Sequence, residues 1–349
     1  MPIPSALPRG TALFTFHGRV VRGKRLGSRL GFPTANIAYD PQSRAWPREG
    51  VYVGVARLDG ESRGYVCIIN QGRHPTVPEG MATVEALPID LFAPGNTPIA
   101  ANYTENGYRD DTIIVELEQK RMYDSDVFIA YVKIATPSQL RTAVAGQKIG
   151  SSSTNHTSTI CQNYNGIVAI NGDYFTKTKA GYIVRMGETY REKTSQNMDL
   201  LLIDELGDFH IYLHGHDVQE NGVASFLSEH EIVNGFFFGP ALVVDGEVQE
   251  IPENYQFDPH QKNPRAGIAQ LGMLTYALVA VNGRTDQSAG VTLAEFADIM
   301  GQLGAEQAYN LDGGNSATLA FNGEVYNDKP QAERSVTDII YFASATAGE

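Results

Sequence analysis

Cysteine is nearly missing from this chain. Cys67 and Cys161 are the only two in 349 residues, too few and too far apart for a disulfide framework, and no cysteine spacing here would hold a metal. A surplus of positive charge is missing too: 27 Lys and Arg face 40 Asp and Glu, a net −13, which argues against a general nucleic-acid binder. No apolar run approaches membrane-spanning length, and the opening MPIPSALPRG lacks the charged-then-apolar layout of an export signal. As written, the sequence is expected to be soluble and cytoplasmic, with no membrane segment. Internal repeats and long low-complexity runs are absent as well, and GSSST at 150–154 reads only as a flexible loop.

What is present divides in two. Residues 1–100 hold 11 Lys and Arg against 7 Asp and Glu, a net +4, whereas the remainder carries a net −17. A basic first part joined to an acidic second part reads as two units. TALFTFHGRVV, GVYVGVARLDG and RGYVCIINQG are short strand patterns broken by Gly and Pro, as in a small β-barrel. A stretch rich in Pro, Gly, Asn and other polar residues follows and reads as a linker. The expected organisation is therefore an N-terminal segment over 1–92, a linker over 93–111 and a larger domain over 112–345.

The larger domain mixes α and β. TIIVELE, DVFIAYVKI, GIVAING, DLLLIDE, DFHIYLH, MLTYALVAVNGR and AYNL are strand patterns. TLAEFADIMGQLG at 292–304 is a helix pattern: Thr292 and Glu295 form a capping box, Leu293, Phe296, Ala297, Met300 and Leu303 make one apolar face, and Gly304 stops it. The fold class expected is α+β: a mixed-sheet C-terminal catalytic domain with helices, preceded by a small, incomplete, Greek-key barrel-like N-terminal domain.

Near the N-terminus, GRVVRGKR almost meets the P-loop pattern through Gly18, Gly23 and Lys24. Arg25 stands where a magnesium-binding Ser or Thr is required, and the following GFPTAN does not open a helix. With GVYVGVARLDG and INQGRHPTVPEGMATVEA, the stretch instead resembles the riboflavin kinase family over about residues 12–86. That resemblance implies magnesium-ATP bound around Gly23, Thr34 and Asn36, with Glu85 as the base on the flavin hydroxyl. A hydroxyl and an amide oxygen suit magnesium. LPIDLFAPGN follows Glu85 almost at once, so the family's later strands and closing helix have no counterpart, which leaves an incomplete domain.

The C-terminal part places glycines and polar residues where strands end: INGDYF at 170–175, NGFFFGPALV at 234–243, NPRAGIA at 263–269, VNGRT at 281–285, YNLDGGNSATL at 309–319 and ERSVTD at 333–338. Taken in order, these stretches resemble the phosphodiester glycosidase family, from about Tyr108 to Phe342. The activity implied is hydrolysis of the C1–O bond of an α-linked sugar-1-phosphate diester, of the GlcNAc-1-phosphodiester type, on a polysaccharide or cell-wall polymer. Such a site needs cations to hold phosphate and carboxylates to stabilise an oxocarbenium-like centre or activate water. Asp173 and Asp312 are the candidate carboxylates. Arg265, Arg284 and Arg334 are candidates for the cationic clamp, since guanidinium grips phosphate bidentately. Gly313 and Gly314 would let backbone N–H groups approach the ligand, and Asn171, Asn315 and Ser316 would bond sugar hydroxyls.

This reading requires no cofactor, although a divalent metal is compatible with it; magnesium-ATP belongs only to an active kinase-like segment. The partner expected is a carbohydrate phosphodiester. Riboflavin kinase activity and non-catalytic carbohydrate binding are the alternatives. A plain turn at Asp312-Gly313-Gly314 is the bland reading of that motif taken alone. His210, His214 and His216 share parity, so an unbroken strand would set three imidazoles on one face, where they could hold zinc. Gly215 interrupts that strand, and half-exposed strand histidines are the stronger reading.

Overall fold

The computed structural model describes residues 95–346 except 148, 151, 257 and 330, together with five strands in the first ninety-four residues. The chain divides into two units, Met1–Leu91 and Phe92–Glu349.

The first unit contains β1 (Val20–Val21), β2 (Ala35–Ile37), β3 (Gly50–Arg57), β4 (Gly64–Gly72) and β5 (Thr83–Pro88). They form one antiparallel sheet in the order β1-β2-β5-β4-β3. The register sets Asn36 opposite Glu85. Gly23, Thr34 and the Greek-key closure expected for this unit lie outside the described residues.

The second unit begins with β6 (Tyr103–Thr104), β7 (Gly107–Arg109), β8 (Ile113–Met122), β9 (Ser125–Ile134) and β10 (Leu140–Val144). Helix α1 (Thr157–Asn163) leads to β11 (Val168–Asn171), β12 (Gly181–Arg185) and β13 (Glu188–Lys193). The hairpin β14 (Leu200–Ile203) and β15 (Phe209–Tyr212) precedes helix α2 (His216–Glu229). Next come β16 (Asn234–Phe236), β17 (Ala241–Val244), β18 (Glu247–Val248), β19 (Arg265–Gly272) and β20 (Thr275–Val281). Helix α3 (Leu293–Gln302), β21 (Gln307–Asn310), β22 (Leu319–Phe321), β23 (Glu324–Val325) and β24 (Asp338–Phe342) complete it.

These strands build a nine-stranded sheet, β18-β17-β21-β19-β20-β9-β8-β7-β6, and two five-stranded sheets, β10-β24-β11-β22-β23 and β13-β12-β16-β14-β15. Sheet dominates and helices are few, an α+β arrangement. The mixed sheet expected from the sequence is corrected in one respect: every strand pair among the described residues is antiparallel. Buried strands such as β20 read as continuous apolar runs because both faces of the nine-stranded sheet are covered.

Strand alternation decides which core each residue joins. Phe128, Ala130, Val132 and Ile134 of β9 face the core shared with Val168, Ile170, Leu201 and Ile340. Val127 and Ile129, on the other face, pack with Phe296, Ala297 and Met300 of α3. That helix starts as its sequence requires: Glu295 N donates to Thr292 Oγ1 at 3.1 Å and Thr292 N donates to Glu295 Oε2 at 2.8 Å.

The linker expected over 93–111 is also corrected, because β6 and β7 lie inside it and extend the nine-stranded sheet. Aromatic residues outweigh the polar composition there. The Tyr103 and Tyr108 rings lie 4.7 Å apart, Tyr108 is buried in the main core, and its hydroxyl donates to Asp110 at 3.0 Å. No helix among the described residues is long and apolar enough to cross a membrane.

Candidate active site

Antiparallel register and the loops beyond it bring five of the six polar segments to one edge. Arg265 opens β19 opposite Val281, where β20 ends and the 282–284 turn begins. Gly267 pairs with Asn310, so β21 delivers Asp312 beside the start of β19. Asn171, at the end of β11, pairs with Ile339 next to Asp338. Backbone bonds stitch these ends together: Leu311 N donates to Ala266 O at 2.8 Å, Gly314 N to Pro264 O at 2.8 Å, Asp312 N to Gly172 O at 3.2 Å and Gly172 N to Asp338 O at 2.9 Å.

Two glycines have a steric reason to be there. A Cβ on Gly172 would lie 2.3 Å from Asp338 Oδ2, and Gly314 has a φ of +60° with the Arg284 guanidinium 3.3 Å from where a Cβ would stand. Backbone of the Asp-Gly-Gly turn therefore lies open to an arginine. The plain-turn reading of this motif is too narrow.

Asp312 is partly buried at this edge. Desolvation pushes its pKa up from 3.8 to about 6, helped by the Asp173 charge and opposed by Ser316, Arg334 and the Gly313 N–H. It is thus a carboxylate that changes charge near neutrality. Arg284 contacts the same loop, donating from Nη1 to Asn315 Oδ1 at 3.3 Å and from Nη2 to Asn263 Oδ1 at 2.9 Å. Arg334 is exposed, its guanidinium 5.2 Å from the Tyr174 ring centre and its Nη2 3.3 Å from the Tyr174 hydroxyl. Asn315 is exposed and Gly313 and Gly314 are half-buried. Asp312, the two glycines, Asn315, Arg284 and Arg334 are therefore the sequence-predicted residues that share one accessible edge.

Four others, expected at the same site, are buried behind that edge. Asp173 is fully buried: Oδ1 lies 2.6 Å from Arg185 Nη2, and Oδ2 accepts from Phe237 N at 2.8 Å. Both oxygens are occupied, and its charge raises the Asp312 pKa. Asn171 is also fully buried, donating to Asp312 O at 2.6 Å and accepting from Thr318 N at 3.1 Å. Arg265 is 4% exposed and spends Nε on Val291 O and Nη2 on the carbonyls of Asp258 and Gln261. Burial lowers its pKa to about 10, with Asp258 opposing and Arg284 assisting. Ser316 is buried as well, near Asp312. The sequence pattern found strand ends but not which side chains turn inward.

Arg185, Lys329, Tyr174 and Asn263 carry roles that the sequence reading missed. Arg185 is fully buried between two carboxylates, 2.6 Å from Asp173 and 2.8 Å from Asp338, with the Phe236 ring centre 4.1 Å away. Lys329 donates to Asn315 O at 3.0 Å and Thr318 Oγ1 at 2.6 Å, bracing the glycine loop. Desolvation lowers its pKa to about 8 against the pull of Glu333. Tyr174 stands one residue past Asp173 with a φ of 57°, which turns its ring toward Arg334. Only Tyr174 and Asn263 lie inside quoted motifs; Arg185 closes β12 with no marker.

The three histidines do not converge. His210, in β15, lies 3.1 Å from Asp204; His214, past the strand, lies 3.1 Å from Asp199; His216 opens α2. The strand ends at Tyr212, and Gly215, with a φ of +125°, stands at the N-cap of α2 between His214 and His216.

The model of the family described as Phosphodiester glycosidase matches residues 164–343, and the model described as Riboflavin kinase matches residues 11–99, past the residue 86 at which the resemblance was expected to stop. The SPbeta prophage-derived uncharacterized protein YomE of Bacillus subtilis (strain 168) is 32% identical over 108 residues, which span 31% of this chain and 17% of that protein. Among solved structures, the zebrafish N-acetylglucosamine-1-phosphodiester alpha-N-acetylglucosaminidase catalytic domain, auto-inhibited by its pro-peptide, aligns with a TM-score of 0.52 at 17% identity. The alignment covers 72% of this chain and 87% of that one, a likeness of fold. A hypothetical protein from Synechocystis aligns with a TM-score of 0.47 at 15% identity, covering 93% of this chain and 79% of that one. With that family model spanning more than half of its residues, the chain belongs to the phosphodiester glycosidase family.

Proposed function

We propose that the chain hydrolyses the C1–O bond of an α-linked sugar-1-phosphate diester, of the GlcNAc-1-phosphodiester type, on a polysaccharide or cell-wall polymer. One observation carries the reading: a partly buried carboxylate with a pKa of about 6, Asp312, stands at the same edge as two accessible guanidiniums, Arg284 and Arg334. A phosphate monoester leaves readily, so the step needs phosphate clamping and water activation more than a strong acid. Ionised Asp312 takes a proton from water as its oxygen bonds to C1. The C1–O bond breaks, and its electron pair leaves with the phosphate held by Arg284 and Arg334. The products are the free sugar and a phosphate monoester.

Behind this edge, Asp173 raises the proton affinity of Asp312 and Asn171 fixes its backbone. Incubation with a GlcNAc-α-phosphodiester should release free GlcNAc, and Asp312→Asn should abolish that release. Saturable sugar binding without release would support the carbohydrate-binding alternative instead.

The riboflavin kinase match over 11–99 favours a second activity in the first unit. It would bind magnesium-ATP through Gly23, Thr34 and Asn36 and use Glu85 as base. FMN formation from riboflavin and magnesium-ATP, lost in Glu85→Gln, is its test.

A further inference from the structure

Away from the Asp312 edge, three side chains meet where the β14–β15 hairpin passes the end of α2. Asp204 follows β14, His210 lies in β15, and His230 is the residue on which α2 ends. Asp204 Oδ2 lies 3.1 Å from His210 Nε2 and 3.3 Å from His230 Nδ1. One donor atom from each residue falls within 4.8 Å of the others.

We propose that Asp204, His210 and His230 form a binding site for a borderline divalent cation of the zinc class. The spacing is the first argument. Metal–ligand bonds of about 2.0–2.1 Å in a tetrahedron place ligand atoms roughly 3.3 Å apart, and the two carboxylate–imidazole separations, 3.1 and 3.3 Å, lie at or just below that value. Imidazole with carboxylate is also the ligand set such an ion takes.

The carboxylate is prepared for the role. Its Oδ1 accepts from Leu206 N at 2.8 Å and Asp208 N at 2.9 Å, which leaves Oδ2 aimed at the imidazoles. Both rings are held by Phe226, whose ring centre lies 5.0 Å from His210 and 5.3 Å from His230.

An unmet need is the second, independent argument. The His230 Nδ1 atom is buried and makes no hydrogen bond, although it stands within reach of Oδ2. At 3.3 Å from Oδ2 this ring nitrogen has a carboxylate contact in place of a hydrogen bond; a cation between the two would use its lone pair. Glu205 Oε1 lies 3.6 Å from the same nitrogen but outside the three mutually close donors, so water would complete a four-coordinate ion. Bound in this way, the ion would tie the hairpin to the C-terminal end of α2.

The test uses the untagged full chain titrated with cobalt(II) chloride, then with zinc chloride in competition. The expected result is one saturable site per chain with the visible absorption of tetrahedral cobalt, displaced by zinc, and a rise in melting temperature with zinc. His210→Gln and His230→Gln should each weaken zinc binding by at least about tenfold, and Glu205→Gln by less. His214→Ala should leave binding unchanged. The melting temperature and far-UV circular dichroism of each metal-free variant verify that it is folded, and His230, at the helix end, is the substitution best tolerated. Absence of saturable binding by the wild type, or unchanged binding by folded His230→Gln, would overturn the proposal.

Discussion

Asn171 reaches from the end of β11 to the backbone carbonyl of Asp312, its Nδ2 donating at 2.6 Å, while Asp312 N donates back to Gly172 O at 3.2 Å. The two strand ends are locked to each other in both directions. The carboxylate proposed to activate water is therefore held by backbone, and its side chain stays free to change charge.

Loss of that lock should loosen the site before it unfolds the protein. Asn171→Ala removes donors to Gly172 and Asp312 and the acceptor for Thr318 N, leaving buried groups unpaired at a cost of about 1–3 kcal/mol. The expected outcome is a lower melting temperature together with a fall in kcat larger than any rise in KM. Steady-state sugar release checks the split.

Arg185 presents the opposite case, a buried cation that stability depends on. Arg185→Met would leave Asp173 and Asp338 facing each other without their shared counter-charge. Removing one member of a buried ion cluster costs about 3–5 kcal/mol. Urea denaturation should show that loss, and Arg185→Lys should recover only part of it because one ammonium does not reproduce the forked geometry.

Much of this fold is legible in the sequence because its signals are local. The capping box of Thr292 and Glu295, the apolar face of α3 and the strand run of β20 each announce themselves within about ten residues. The motifs likewise locate the strand ends that carry Asp312, Arg284 and Arg334. What stays hidden is set by distant packing. Asp173 and Asn171 have the same appearance as Asp312 in sequence, and only tertiary contacts turn them inward. Arg185 is one charge in an apolar strand, and its two carboxylates are 12 and 153 residues away. β6 and β7 carry turn-rich composition, and the Tyr103–Tyr108 packing that makes them strands has no local period.

Arg334 should report on binding and on acidity at once. Its charge lowers the Asp312 pKa, so Arg334→Ala should move the acidic limb of the pH profile upward. Loss of a charge-assisted phosphate contact should also raise KM by on the order of tenfold. Arg334→Lys should restore the limb better than the KM, since charge returns without the bidentate fork.

Stability should carry the same signature with a defined sign. The folded-state pKa of Asp312, about 6, lies above its ordinary 3.8, so the folded protein binds this proton more tightly than the unfolded chain. This residue's contribution therefore turns less favourable as pH rises from 3.8 through 6. Asp312→Asn should match the wild type below that window and be more stable above it. Melting temperatures of the two proteins across the window give the difference directly.

The most direct test of the account is the rate of GlcNAc release from a GlcNAc-α-phosphodiester as a function of pH, for the wild type and Asp312→Asn. The wild-type kcat/KM should rise with pH through about 6, and the variant should be slower by roughly 10²–10⁴-fold with its fold intact. Wild-type turnover with Asp312→Asn equally fast at every pH would contradict it.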